Sequence, residues 1–339
     1  MELRTTFKIP SSIKRITYND PAMFIGSCFA KSIGRQFEAG RMPVLINPSG
    51  TVYNPVSVCN TIDTITSERK SDIGDLYNNS GTWISFDHYT DFSSVNPEDI
   101  LEKINRRSEK ALEFISRAKF LFITFGTARV FRFKRSGKIV SNCHKIPATE
   151  FTNELLTAEE ITALWGDQLD RLNTLFPALK VIFTISPVRH WKDGAHGNQV
   201  SKSVLFLAVE KLLEHPSGPD YFPAYELVMD DLRDYRFYEV DMLHISSLAV
   251  DYIWKAFSRC YFDNATLNLW QEVSKISMAV SHRIQADSPE QIGKFAANII
   301  SRIDTITLKN QSIDLGKERE YFAALLNDSR PDLKKGIPR

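Results

Sequence analysis

Two short stretches carry side chains able to act as a nucleophile and its base. The first is Gly26-Ser27-Cys28-Phe29-Ala30. A hydroxyl and a thiol stand side by side behind a glycine, and either attacks a carbonyl if a base lies within reach. The apolar run Ala22–Gly26 reads as a buried strand and Phe29–Ala39 as a helix. A side chain at that junction meets the free N–H groups and positive dipole end of a helix N-terminus. A thiol there is drawn toward thiolate, and an oxyanion formed in acyl transfer would be held by the same N–H groups. Packing offers a plainer account. Small residues allow a tight strand–helix turn, and an isolated Cys often serves as a small core hydrophobe.

The second stretch is Asp241-Met242-Leu243-His244. Its spacing lets a carboxylate on a turn hold the imidazole Nδ1, which fixes the tautomer and leaves Nε2 as a base. Composition alone yields a D-x-x-H in roughly one of two such chains, and Asp193-Gly194-Ala195-His196 is another. Position favours Asp241–His244. The alternation in Tyr235–Val240 predicts a strand nearer a sheet edge, and strand C-terminal ends form the reactive edge of an open parallel sheet. Asp193–His196 is expected in a loop after the strand at Leu179–Ile185, where His190 and His196 would cover the site or bind substrate, if they are more than an ordinary polar loop. No cysteine or carboxylate–His helix motif accompanies those histidines, so no metal is expected.

The elements that must position these groups follow from apolar patterning. Ala22–Gly26, Lys119–Phe125 and Leu179–Ile185 are near-continuous apolar runs, as in strands buried on both faces, and Met42–Ile46 is a weaker fourth. Helical spacing covers Phe29–Ala39, Pro97–Ala118, Ala158–Leu175, Asn198–Leu213 and Ser246–Cys260. Asn96 supplies an N-cap before Pro97, with acidic residues in the first turn. Strands alternating with helices predict an α/β protein with an open sheet covered on both faces. Residues 72–96, rich in Gly, Asn, Ser, Asp and aromatics, read as a long loop or small insertion.

Bulk composition removes several function classes. The chain has 339 residues, 43% hydrophobic and 24% charged, with net charge +1. No basic run supports nucleic-acid binding. No apolar run is long enough for a membrane span, and the polar start lacks a secretory signal, so a cytoplasmic protein is expected. Cys28, Cys59, Cys143 and Cys260 form no C-x-x-C pair, which predicts free thiols.

The pentapeptide G-S-C-F-A at 26–30 is the signature of the GSCFA family. The chain is similar to that family also at N-P-S-G-T-V-Y-N-P (47–55), F-G-T-A (125–128), S-P-V-R-H (186–190), Y-F-P-A-Y-E (221–226) and D-M-L-H (241–244). That family resembles the SGNH, or GDSL, hydrolases. The resemblance implies a flavodoxin-like three-layer α/β/α sandwich with a mostly parallel sheet, plus a loop insertion and C-terminal helices. It divides the chain into a catalytic domain at 1–262 with an insertion at about 72–96, a helical extension at 263–308 packed on it, and a polar, partly frayed tail at 309–339.

Carried over by position, Gly26-Ser27-Cys28 lies on the G-D-S block, which puts Cys28 at the nucleophile's place. A shift of one residue puts Ser27 there. Asp241 and His244 fit the closing D-x-x-H. Gly50 falls at the later oxyanion glycine and Gly126-Thr127-Ala128 near the G-x-N block. Ala128 cannot donate as the Asn would, a loss that typically costs about 10²–10³ in rate; Thr127 or Asn54 would have to replace it. The implied activity is that of an esterase or acyltransferase on a small acyl ester, such as an O-acetylated carbohydrate, with no cofactor. The rival expectation is a carbohydrate-binding module that keeps the pocket without turnover. The sequence implies no other partner.

Overall fold

Residues apolar on both strand faces form the centre of the sheet. The computed structural model describes residues 5–67, 69–281 and 289–327. In chain order the strands are β1 (Ala22–Gly26), β2 (Val44–Ile46), β3 (Tyr77–Asn79), β4 (Thr82–Ile84), β5 (Ser93–Ser94), β6 (Phe120–Phe125), β7 (Arg129–Phe133), β8 (Ile139–Val140), β9 (Phe151–Leu155), β10 (Lys180–Ile185) and β11 (Asp220–Tyr221). The helices are α1 (Cys28–Ala39), α2 (Pro55–Thr66), α3 (Pro97–Arg117), α4 (Ala158–Leu175), α5 (Gly194–Leu212), α6 (Ala224–Glu226), α7 (Ser247–Tyr261), α8 (Asn264–Ser281), α9 (Pro289–Lys309) and α10 (Gly316–Asn327).

Five strands pair in the order β2-β1-β6-β10-β11, all parallel. This is the flavodoxin-like order, in which the chain adds a strand on one side of β1 and then continues on the other. Every residue of β1 and β6 is buried, as their unbroken apolar runs require. Alternate residues divide between the two faces. Met23, Ile25, Leu121, Ile123, Val181 and Phe183 join one core with α2, α3, α4 and α5. On the other face Phe24 stacks on Phe122 with centroids 4.6 Å apart, and Phe257 of α7 packs on Phe122. The start of α1 lies on that face too, since a side chain at Gly34 would strike Ile46. Three layers result. Asn96 caps α3 by accepting from Glu98 N–H, as the N-P-E-D start predicts.

Two small antiparallel sheets are added. Residues 72–96 fold into β3-β4-β5, and residues 129–155 into β8-β7-β9, a region in which the apolar patterning marks no strand. Ile84, Phe133, Val140, Ile146 and Phe151 give them a core of their own.

The strand predicted at Tyr235–Val240 is absent. Tyr235–Phe237 form a 3₁₀ turn capped by Asp234, and only Tyr238 bridges back, to Ile245. Tyr235 is 74% and Val240 94% exposed, so the alternation has no buried face to hold it in a sheet. The edge strand is β11 instead.

The chain falls into two compact units. One comprises Met1–Ile9, Pro21–Gly34 and Val44–Phe257; the other comprises Pro10–Asp20, Arg35–Pro43 and Ser258–Arg339. In the second, α10 packs on α8 and α9. Glu318 of α10 is buried and accepts from Arg41 Nε at 2.7 Å. Helix α10 lies in a stretch that composition marks only as polar, and the predicted frayed end, 328–339, lies outside the described residues. Among the described residues no helix is long and apolar enough to cross a membrane.

Gly26 sets how closely β1 and β6 approach. Its φ is +144°, and an added Cβ would lie 2.2 Å from the Thr124 carbonyl oxygen. Neither the angle nor the space suits another residue. Gly26→Ala is expected to lower stability by about 2–4 kcal/mol, read from urea unfolding midpoints. An unchanged midpoint would show that the strands have room to spare there.

Candidate active site

The turn from β1 into α1 assigns different work to its two nucleophile candidates. Ser27 is the helix cap. Its Oγ accepts from Phe29 N–H at 3.3 Å, its own N–H donates to Thr124 O at 3.3 Å, and it is 1% exposed. Cys28 opens α1 and is partly exposed. Burial pushes its thiol up; the backbone N–H groups of Phe29 and Cys28 and the Lys202 charge pull it down, and Asp241 raises it.

A loop from β2 supports the same turn. Asn47, at φ +44°, accepts Gly26 N–H on its Oδ1 at 2.9 Å. Its Nδ2 is buried with no hydrogen-bond partner among the described residues. Val52 N–H donates to Gly26 O at 3.1 Å.

Asp241 and His244 form a self-contained pair. Asp241 Oδ1 accepts from the backbone N–H of Leu243 and of His244, each at 2.9 Å. Its Oδ2 accepts His244 Nδ1–H at 2.6 Å. These bonds hold the Asp241 carboxyl down at about 2, so it is ionised and acts only as acceptor. Met242, at φ +58°, makes the tight turn. The pair is therefore built by a turn, closed by Glu239 N–H donating to His244 O at 2.7 Å, and not by a sheet strand before it.

The other D-x-x-H does not pair. Asp193 ends a 3₁₀ turn and lies 3.7 Å from Arg129 Nε. His196 sits exposed in the first turn of α5, where a loop was expected. Among the described residues no hydrogen bond joins Asp193 to His196. His190 lies closer to the chemistry. Its backbone N–H donates to Asn198 Oδ1 at 2.9 Å, and its ring meets Tyr53 edge-on at 5.6 Å. A side chain at Gly126 would strike His190 Nε2. Burial first, then the charges of Lys202 and His244, lower His190 to about 4.

These influences bring distant segments together. Cys28 follows β1, Gly126 follows β6 and His190 follows β10, all at C-terminal strand ends. Cys28 responds to Asp241, His190 to His244, and Tyr53, raised to about 12 mainly by burial, to Cys28. The cleft between β1 and β6 is the switch point of the strand order, where α/β sheets bind ligands. Among the described residues no hydrogen bond joins His244 to Ser27 or Cys28.

The expected oxyanion donors other than Asn54 are already occupied. Gly26 N–H donates to Asn47 Oδ1, Gly50 N–H to Asn47 O, and Gly126 and Thr127 N–H both to Tyr53 O. Thr127 Oγ1 bonds Ser201 Oγ at 2.9 Å. Gly50, at φ +83°, and Gly126 instead permit close packing against Tyr89 and His190. Asn54 caps α2 by accepting Ser57 N–H on Oδ1 at 2.8 Å. Its Nδ2 has no protein partner among the described residues.

Sequence reasoning missed Lys202. This lysine is 1% exposed, and its Nζ donates to Gly126 O and Ser186 O, each at 2.6 Å. Burial lowers it to about 7, while Cys28 raises it. A signal was present: Lys202 falls on the helical stripe of Leu205, Val209 and Leu212, where a cation would be buried.

With the geometry of both motifs described, the comparison with known families is informative. The GSCFA family profile matches residues 21–257. The chain belongs to the GSCFA family. The GSCFA match runs from β1 into α7 and contains Ser27, Cys28, Lys202, Asp241 and His244. A comparison with curated proteins finds no match. Among the described residues, no group of three or more His, Cys, Asp or Glu side chains could hold a metal ion.

A pH signature follows from the buried imidazoles. His88, in the inserted layer, has Nδ1 2.7 Å from Ser85 Oγ, and burial lowers it to about 4, as for His190. Unfolded histidines titrate near 6.5. Between pH 6.5 and about 4 the unfolded chain therefore binds more protons, and stability falls as pH drops through that window. The expected loss is up to about 3 kcal/mol per histidine, measured by urea unfolding across pH. The double variant His88→Asn, His190→Asn should flatten that slope; retention of the full slope would assign it to other groups.

Proposed function

We propose that this GSCFA chain is an SGNH-like esterase or acyltransferase in which Cys28 is the nucleophile, His244 the base and Asp241 its partner. The observation that carries the reading is the ready-made Asp241–His244 bond of 2.6 Å, with the Asp241 charge acting on Cys28. Cys28 is preferred to Ser27 because the serine hydroxyl is buried and serves as a helix cap. The flavodoxin-like strand order further supports the SGNH comparison.

The chemistry is covalent acyl transfer. His244 Nε2 takes the thiol proton as sulfur attacks the ester carbonyl. The tetrahedral oxyanion is held by Cys28 N–H and Asn54 Nδ2. Its collapse releases the alcohol, which receives the proton from His244. Water or a second hydroxyl, deprotonated by His244, then attacks the thioester and frees Cys28. Catalytic contacts of this kind are often long without substrate and close in the complex. The proposed substrate is a small acyl ester on a carbohydrate hydroxyl, an assignment by analogy between folds.

A second reading, ligand binding without turnover, draws on the occupied N–H groups and the raised Cys28 thiol. A short-chain p-nitrophenyl ester separates the two. Turnover should fall by about 10²–10⁴ in His244→Ala and be lost in Cys28→Ala, while Ser27→Ala retains it on folded protein. Intact mass should show one acyl adduct, absent in Cys28→Ala. Activity untouched by His244→Ala would remove the base assignment, and glycan binding with neither adduct nor turnover would favour the second reading.

A further inference from the structure

A cavity of about 400 Å³ opens beside the Asp241–His244 turn. Its walls include Arg189, Val228, Met229, Tyr235, Tyr238 and Met242, all within the first compact unit. Met242 belongs to the turn that presents His244, and Arg189 directly precedes His190. Substrate pockets are commonly of this size, with apolar and aromatic walls and a few placed polar groups. The backbone here is unusual as well. Leu227–Leu232 form a π-helix, a form found mostly at functional sites, and Arg233 closes it at φ +39°. Arg233 and Met242 both line the cavity, and both are non-glycine residues with positive φ.

The charges on the walls decide what the cavity would take. Asp234, also on the wall, accepts from Arg236 Nη2 and from the Arg236 N–H, each at 2.8 Å. Arg233 Nη2 lies 3.8 Å from Asp230, and its Nε donates to Met229 O at 3.1 Å. Arg189 has no such partner. Among the described residues it makes neither an ion pair nor a hydrogen bond. Its Cζ lies over the Trp191 ring, 4.9 Å from the centroid, a contact that holds a cation without an acceptor atom. A guanidinium fork matches a carboxylate with two parallel bonds. One uncompensated cation balances one negative charge, whereas a phosphate dianion would leave charge over. Tyr235 is 74% exposed, and its ring lies 6.1 Å from that of Tyr238. We infer that this cavity is a subsite for the acidic part of a substrate, in which Arg189 binds the carboxylate of an acidic sugar whose ring rests against Tyr235 and Tyr238.

The sugar is that of the proposed reaction, so the assignment rests on that reading, but binding is measured without turnover. Glucuronate serves as the probe and glucose as its neutral control. In the full chain carrying ¹³Cε-methionine, glucuronate should shift the Met229 and Met242 methyl signals saturably. Glucose should bind about tenfold more weakly or not at all, and Arg189→Gln should weaken glucuronate by about tenfold while leaving the glucose response as it was. An equal response to the two sugars, no response of either methyl, or full glucuronate binding by folded Arg189→Gln would overturn the inference. Inorganic phosphate binding more tightly than glucuronate would overturn the carboxylate assignment. If Arg189→Gln does not fold, the two sugars are still compared on the wild-type chain, and Tyr235→Ala, at an exposed position, should weaken glucuronate severalfold; unchanged binding in Tyr235→Ala would remove the ring contact. Glucuronate binding without ester turnover would keep the subsite and remove only the esterase reading, and ester turnover without a glucuronate response would do the reverse.

Discussion

The turn from β1 into α1 depends on the closeness of β1 to β6 at Gly26. Because no side chain separates Gly26 from the Thr124 carbonyl, Ser27 N–H reaches that same carbonyl and the chain turns at once into α1. The turn fixes Ser27 as cap and Cys28 as first helical residue. At the end of neighbouring β6, Gly126 leaves room for His190 and Tyr53. A looser pairing of these strands would move the helix start and with it Cys28.

Opposed electrostatic effects divide the work among chemically similar groups. Two histidines face the cleft, and they differ in solvent. His190 is buried and held neutral; His244 stands half exposed beside an ionised carboxylate. Two nucleophile candidates are adjacent in sequence, and they differ in what their side chains already do. Environment separates an exposed imidazole from a buried one in the first pair, and a cap from a partly exposed thiol in the second.

Much of the central sheet was legible because β1, β6 and β10 are buried on both faces, and continuous apolar runs report that directly. The strands β7, β8 and β9 escaped because they belong to a small sheet with a thin core, where Phe133 and Phe151 pack but Phe131 stays 40% exposed. Tyr235–Val240 misled for the converse reason: it alternates, yet no residue in it is fully buried. Asp241–His244 was found on a positional argument that fails, since a turn and not a strand presents the pair. The oxyanion donors were misread because a glycine's place in a motif does not reveal whether its N–H is already bonded, as at Gly50 and Gly126. Lys202 was visible in principle, as a charge on an apolar helical stripe.

The Asp241–His244 turn carries one more implication. Both side chains are about half exposed, at 47% and 52%, and the bonds that shape the turn lie within residues 239–244. An imidazole in that position exchanges protons with bulk solvent without a relay through the interior. Lys202, by contrast, is sealed in the core at 1% exposure.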